Sequence, residues 1–289
     1  MRLIQEAIGW HTSWGPWIIG LLGSLLVAGA AWWKQSLTGS GAAASIVMGT
    51  IYCGSGALVW FGLLLTFFVT STLWSKWKKK AKGRFEDNYE KSGTRDAGQV
   101  FANGGLGLLL CLAYIIAPHP AWVALFVGAM ASVNADTWAT EIGSLSRRPP
   151  RSIVTGRVVP PGTSGGVSLL GTSASAAGAF VIGMAAVVLL LLDPLQTGPE
   201  TSFRALAVLL IAGTAGGLAG ALLDSLLGAT LQAGYRCRQC GADTERTTHC
   251  GSETRLVRGC RWLNNDRVNL LCSCGGAAVS CLIWLLAGG

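Results

Sequence analysis

Long apolar segments alternate with short polar connections along most of the chain. Eight segments could span or nearly span a membrane, at 17–33, 40–54, 56–75, 97–117, 120–135, 165–192, 204–231 and 267–287. A full span needs about 20 apolar residues, so the short second and fifth segments suggest half-helices. Alternatively, the second and third form one bent hairpin around Gly54 and Gly56. The pattern predicts an all-α, polytopic membrane helix bundle of seven to eight transmembrane helices, forming one domain over 1–289.

Basic residues concentrate in alternate connections. Residues 76–95 contain eight Lys and Arg, 146–160 contain four Arg and 232–266 contain six Arg, whereas 118–119 and 193–203 contain none. Because cytosolic loops retain Lys and Arg, we predict three cytosolic loops, at 76–96, 144–164 and 233–264. With eight spans, both termini lie outside.

The composition agrees with this topology. Hydrophobic residues make up 51% of the chain and charged residues 12%, which is typical of an integral membrane protein. The net charge of +8 is explained by the basic loops, so we expect membrane lipids and no nucleic acid as partners.

Polar residues gather where the predicted helices meet the cytosol. Carboxylates at membrane depth are costly and usually functional, and Asp136, Glu141 and Asp224 are the strongest candidates. Neighbouring carboxylates repel unless a cation lies among them, and their oxygen atoms suit Mg²⁺. Alternatively, Asp136 and Glu141 cap a helix end and pair with Arg147 or Arg148. Asp224, inside an apolar helix, has no such alternative.

The glycine-rich stretch PPGTSGG, residues 160–166, opens the sixth segment. Its backbone N–H groups could hold a phosphate at the positive end of a helix dipole, although an ordinary turn before a helix looks similar. It lacks the lysine of a Walker A loop. Arg95 and Arg157 supply planar donors that favour phosphate. The candidates from this loop are Gly162, Thr163, Ser164, Gly165, Gly166 and Ser168.

Amides and hydroxyls near the same helix ends are further candidates for nucleotide binding. Asn265 and Asn269 lie four residues apart and share a helix face, although Asn264 or Asn265 could equally be a helix N-cap. The remaining candidates are Asn103, Asn134, Thr137 and Ser225.

Cys237, Cys240, His249 and Cys250 form a separate group in the 233–264 loop. The spacing offers four ligands for a structural Zn²⁺ knuckle, with reduced free thiols as the alternative. Four protein ligands leave no open position on the metal, so a catalytic zinc is not expected.

Five blocks of the sequence resemble the phytyl-phosphate kinase family, also known as the domain of unknown function 92 or transmembrane protein nineteen family. They are RDAGQVFANGG (95–105), NADTWATEIG (134–143), VPPGTSGGVSLLGT (159–172), LLDSLLGATLQ (222–232) and WLNNDRVNLL (262–271). The resemblance extends from about residue 36 to residue 287, and the Cys/His group is similar to prokaryotic members.

The resemblance implies a kinase that converts a prenyl monophosphate, such as a phytyl or geranylgeranyl phosphate, to the diphosphate. CTP or another nucleoside triphosphate would be the donor and Mg²⁺ the cofactor. Asp136, Glu141, Asp224, Asn265 and Asn269 would serve the metal and nucleotide, with PGTSGG at the phosphates. We expect an integral protein of a prokaryotic plasma membrane with its active site facing the cytosol.

Two other functions compete with this interpretation. A CTP-dependent lipid-phosphate cytidylyltransferase would use the same substrates but release a CDP-lipid, so the product separates the two enzymes. A small-molecule transporter would place its polar residues near the membrane midplane and contain an inverted repeat. The polar residues predicted here lie at one face, and the sequence shows no clear repeat.

Overall fold

The computed structural model describes residues 14–55, 57–77, 93–193 and 202–288. Within them are eight helices: α1 Gly15–Trp33, α2 Gly39–Gly54, α3 Leu58–Lys76, α4 Ala97–Ile116, α5 Pro120–Gly143, α6 Leu169–Leu192, α7 Phe203–Thr230 and α8 Asn265–Leu286. Six of these helices, all except α2 and α5, are long and apolar enough to cross a membrane. The predicted all-α membrane bundle is therefore confirmed, while most of the basic 76–96 loop, residues 78–92, lies outside the described residues.

Contacts between connections identify the two ends of the bundle. At one end, the Thr94 hydroxyl donates to the carbonyl of Gln35. At the other end, Asp193 after α6 accepts from the backbone N–H of Leu58 at the start of α3. Consecutive helices therefore run in opposite directions, and the described residues 34–38, 93–96, 144–168 and 231–264 share one end. We call it the basic end.

α5 is the central helix. Its residues from Phe126 to Ala135 are all buried, and it contacts α3, α4, α6, α7 and α8. The Phe126 ring packs against Trp60, with ring centroids 4.5 Å apart. This helix thus fixes the positions of the helices around it.

The fifth segment is not the predicted half-helix, because α5 has 24 residues and continues to Gly143. Its last two turns contain Asp136, Thr137 and Glu141, so the apolar run stops while the helix goes on. α2 has only 16 residues and is short as predicted. It ends at Gly54 and α3 begins at Leu58, so the two are separate helices.

Short strands shape the basic-end connections, which the sequence analysis treated as loops. β1 Arg151–Ser152 pairs with β2 Gly166–Val167, so α6 begins at Leu169 rather than at 165. The connection from α7 to α8 contains a three-stranded sheet in the order β4-β3-β7 and a β5-β6 hairpin. These strands are β3 Gly234–Arg236, β4 Asp243–Thr244, β5 Thr248–His249, β6 Ser252–Glu253 and β7 Arg255–Arg258.

Glycines let α5, α7 and α8 approach one another closely. A Cβ added to Gly276 would lie 2.9 Å from the carbonyl oxygens of both Gly128 and Gly216. In the same region, Ser132 Oγ donates to the carbonyl of Cys272 at 3.0 Å. Lipid provides no hydrophobic drive for such contacts, so close packing and interhelical hydrogen bonds must stabilise them.

This packing predicts that Gly276→Ala destabilises the protein. The methyl group has no space between two backbone oxygens, and overpacking costs about 1–3 kcal/mol. We expect a melting temperature several degrees lower in detergent, measured by tryptophan fluorescence. Gly23→Ala is the control, because nothing lies within 4 Å of its added Cβ and alanine favours a helix. Equal melting temperatures for the two variants would contradict the described packing.

Candidate active site

A large polar cavity opens at the basic end of the bundle. It contains about 2030 Å³ of space including its open mouth. The structure brings most of the predicted site residues to its wall: Arg95, Asn103, Asp136, Thr137, Glu141, Gly162, Thr163, Ser164, Gly165, Gly166, Ser168, Asp224, Ser225, Asn265 and Asn269.

The crossing of α5, α7 and α8 explains why three of these residues meet. A Cβ on Gly220 of α7 would overlap the hydroxyl of Ser132 on α5 and approach the carbonyl of Cys272 on α8 to 2.9 Å. Side chains three or four residues apart share a helix face. One turn nearer the basic end therefore come Asp136 on α5, Asp224 on α7 and Asn269 on α8, all three at the cavity wall.

Two of the predicted carboxylates, those of Asp136 and Asp224, are close enough to interact. Asp224 is within electrostatic range of Asp136 and of Glu245. Its Oδ2 atom is buried and has no hydrogen-bond partner among the residues that the structure describes. Asp136 lies seven residues before the end of α5, so it does not cap that helix. An orphaned carboxylate oxygen among other carboxylates fits a cation with hard oxygen ligands.

Glu141 and Arg95 both line the cavity and interact electrostatically. The Ser75 hydroxyl donates to Glu141 Oε1. Burial lowers the pKa of Arg95, and the Glu141 carboxylate opposes that change. The guanidinium has so high an ordinary pKa that it stays charged at neutral pH. Arg95 therefore brings a fixed positive charge into a cavity that contains several carboxylates.

The PGTSGG loop packs directly onto α7. Gly162 and Gly165 have positive φ angles of 83° and 78°, which favour glycine. A Cβ on Gly165 would lie 2.7 Å from the carbonyl of Ser225, one residue after Asp224. The loop is followed by β2 rather than directly by a helix, and Ser168 caps α6 by accepting from the N–H of Gly171 at 3.1 Å. The loop therefore lies beside the carboxylates, held by a hairpin as well as by the helix.

The Cys/His group forms a compact cluster in the α7–α8 connection. The ligand atoms of Cys237, Cys240, His249 and Cys250 all lie within 4.8 Å of one another. The sulfur atoms of Cys240 and Cys250 are 3.8 Å apart, close to the edge of about 3.8 Å expected for a tetrahedron with Zn–S bonds of about 2.3 Å. A hydrogen bond from the backbone N–H of Cys240 lowers the pKa of Cys237 to about 6. These four side chains could hold a metal ion.

The same connection contributes Glu245, which the sequence analysis missed. Glu245 follows β4 and lines the cavity, where its Oε1 accepts from Ser164 Oγ at 2.8 Å. The Cys/His cluster thus lies in the connection that brings a fourth carboxylate to the PGTSGG loop. Gln99 and Arg148 also line the cavity and were not candidates for the site. No spacing in the sequence relates Glu245 to the helix-end carboxylates.

Three predicted residues lie outside the cavity wall. Arg157 is exposed in the turn between β1 and β2, whereas Arg148 lines the cavity. Asn134 is fully buried, donates to the carbonyl of Gly178 and accepts from Thr70. Asn264 is the N-cap of α8, as the alternative interpretation expected. Their observed contacts hold the fold rather than the cavity.

Comparison with known proteins agrees with this architecture. A family model described as integral membrane protein DUF92 matches residues 22–277. The chain belongs to the DUF92 family. DUF92 membership was predicted from the five sequence blocks and is confirmed.

Several relatives are similar over most of the chain. Protein PGR of Arabidopsis thaliana is 29% identical, covering 88% of this chain and 91% of its own. An uncharacterized membrane protein of Methanocaldococcus jannaschii is 32% identical, covering 87% of each. Protein VTE6, chloroplastic, of Arabidopsis thaliana is 28% identical, covering 98% of this chain and 74% of its own. No solved structure matches.

The cluster geometry predicts one zinc ion per chain. We expect elemental analysis of protein purified without chelators to find this ion, and Cys237→Ser or Cys250→Ser to remove most of it. Cys260→Ser is the control, because Cys260 is exposed and lies outside the cluster. Purified protein free of zinc, with Cys237, Cys240 and Cys250 all reactive as reduced thiols, would contradict the prediction.

Proposed function

We propose that this protein is a Mg²⁺-dependent kinase that transfers the γ-phosphoryl group of CTP, or another nucleoside triphosphate, to a prenyl monophosphate. The observation that carries the proposal is the single cavity that joins buried carboxylates, a glycine-rich loop and Arg95 at the basic end. Membership of the DUF92 family supports it, together with the resemblance of the five sequence blocks to the phytyl-phosphate kinase family. The basic connections support a cavity that faces the cytosol.

The carboxylates of the cavity are suited to binding Mg²⁺. Asp136 and Asp224 repel each other, and the buried Asp224 Oδ2 lacks a partner among the described residues. Asp136, Asp224 and Glu141 would hold Mg²⁺, which prefers a few carboxylates and completes its shell with water and phosphate oxygens. Bound there, the ion would neutralise charge on the triphosphate.

The other residues of the cavity have separate tasks in the proposed reaction. The PGTSGG backbone and Arg148 bind the triphosphate, while Asn265 and Asn269 orient the nucleotide. Arg95 binds the lipid phosphate. An oxygen of this phosphate attacks the γ-phosphorus, the bond from that phosphorus to the β-phosphate oxygen breaks, and a nucleoside diphosphate leaves.

This reaction asks for little acid or base chemistry. A phosphate monoester is already largely deprotonated at neutral pH, so its oxygen needs no strong general base. Positioning the two substrates in line and neutralising their charge supply the catalysis. This agrees with a cavity whose described lining contains carboxylates, arginines and amides but not histidine.

The position of the polar groups supports an enzyme over a transporter. A transporter would bind its substrate near the midplane, whereas the carboxylates here lie within the last turns of α5 and α7 at one end. A cytidylyltransferase is the alternative enzyme, and the same assay would identify it by its CDP-lipid product.

Asp136→Asn and Asp224→Asn should each lower kcat by about 100-fold or more, because they remove charge that holds the metal against the phosphates. The assay uses purified protein in proteoliposomes with Mg²⁺, CTP or ATP, and C5 to C20 prenyl monophosphates, with product identification by mass spectrometry. Asp243→Asn is the matched control, since Asp243 is exposed and pairs with Arg236 on the surface.

The products distinguish the candidate functions. Formation of a prenyl diphosphate and a nucleoside diphosphate supports the kinase. Formation of a CDP-lipid and pyrophosphate would instead show that the protein is a cytidylyltransferase. If the protein consumes no prenyl phosphate with any nucleotide, both proposed enzyme activities are refuted. Unchanged turnover in the two aspartate variants refutes the assigned metal site.

Glu245→Gln should lower kcat/KM by about tenfold while leaving the zinc content unchanged. The amide keeps the size of the side chain but removes a charge near Asp136 and Asp224, in a cavity where one charged hydrogen bond contributes about 1.5–3 kcal/mol. Glu253→Gln in the same connection is the control, because Glu253 is exposed on β6. Equal kinetics for both variants would assign Glu245 a structural role only.

A further inference from the structure

A second cavity lies among α1, α2, α3 and α4. It contains about 650 Å³ of space when its open mouth is included. Its wall is almost entirely apolar and includes Val27 on α1, Met48 on α2, and Phe61 and Leu64 on α3. It is separate from the helices that carry the carboxylates.

The apolar and polar cavities meet at two shared residues. Arg95 and Asn103 line both of them. The Arg95 guanidinium lies over the rings of Phe67 and Phe68, with Cζ 5.6 and 5.9 Å from the centroids. Asn103 accepts a hydrogen bond from Asn269, at 3.4 Å, on the polar side. The apolar space therefore begins where the phosphate-binding space ends.

The apolar cavity extends from this junction toward the middle of the bundle. Along α3 its wall runs from Phe68 to Phe61, a rise of about 10 Å at 1.5 Å per residue. A ligand that occupied both cavities would thus have a charged head at Arg95 and an apolar chain pointing away from the basic end.

We propose that this cavity binds the isoprenoid chain of a single-chain prenyl monophosphate, with Arg95 holding the phosphate at the junction. The inference rests on the proposed function and adds the location of the lipid. The cavity is one continuous apolar space beside one guanidinium, which matches one chain and one phosphate. A diacyl lipid phosphate would have to leave its second chain outside.

Binding of the chain inside the protein gives the reaction a defined geometry. Lipid solvates a prenyl chain as well as the protein does, so the chain gains little free energy merely by leaving lipid. Binding of the chain instead orients the substrate, because a chain held among α1–α4 positions the phosphate at Arg95, next to the cavity that contains the carboxylates. Such positioning accounts for a large part of rate enhancement in phosphoryl transfer.

Photo-crosslinking tests the location directly. The probe is a C20 prenyl monophosphate with a diazirine on its second isoprene unit, irradiated with the whole protein in proteoliposomes and mapped by mass spectrometry. We expect label around residues 24–28, 45–49 and 61–65, competed by unlabelled C20 prenyl monophosphate and not by phosphatidic acid. Label on the lipid-facing surface of α5–α8, equal competition by phosphatidic acid, or no label at all would overturn the proposal.

Filling the cavity provides a second test. Val27→Trp should reduce crosslinking at least fivefold and kcat/KM for the C20 substrate at least tenfold, while turnover of a C5 prenyl monophosphate stays within twofold. Its neighbour gives the matched control, because Leu26 is 75% exposed toward lipid and Leu26→Trp should change neither. Ser45→Phe fills the same space from α2 and repeats the test should Val27→Trp fold poorly.

The two proposals fail in different ways. If the probe labels the cavity specifically but the protein phosphorylates no prenyl phosphate, the chain-binding site is supported and the kinase activity is refuted. Turnover of the C20 substrate that is insensitive to both Val27→Trp and Ser45→Phe would keep the kinase and refute the chain site. Equal losses for C5 and C20 substrates would also refute it, since filling would then have damaged the polar cavity.

Discussion

The close crossing of α5, α7 and α8 is the contact on which the cavity depends. Gly220 admits the Ser132 hydroxyl and the Cys272 carbonyl at that crossing, and the next turn of each helix presents Asp136, Asp224 and Asn269 to one space. Because successive helical residues are about 100° apart, a shift of α7 by one residue would turn Asp224 away from its partners. Small residues thus determine where the charges meet.

Charges at this depth require compensation, and the basic end supplies it in several forms. The cavity is open, so water reaches its walls, and Arg95 introduces a positive charge that the nearby Glu141 stabilises. The carboxylates of Asp136 and Asp224 still repel each other, which favours a bound cation. The α7–α8 connection contributes a further carboxylate to the cavity, that of Glu245. This residue adds negative charge, so it favours a bound cation and does not neutralise the other carboxylates.

Sequence patterns predicted the helices and the convergence of Asp136, Glu141 and Asp224, because hydropathy and the alternation of basic loops determine which helix ends share a face. They failed where local backbone geometry decides. α5 was predicted to be short because its last turns carry polar residues that face the cavity, which end the apolar run. Arg157 was predicted to bind phosphate, but it is exposed in the turn between β1 and β2. Glu245 depends on the fold of the Cys/His connection, which no periodicity reveals.

The junction at Arg95 shows why an arginine suits the border between the two cavities. The Arg95 guanidinium lies over the rings of Phe67 and Phe68 and has several N–H donors for a phosphate, whereas a lysine would offer one strongly hydrated charge. Its backbone is held on both sides, because Arg95 donates to Ser36 and accepts from Thr38. Gly41 leaves room for its carbonyl at the start of α2. The α1–α2 connection thereby fixes the residue that separates apolar space from polar space.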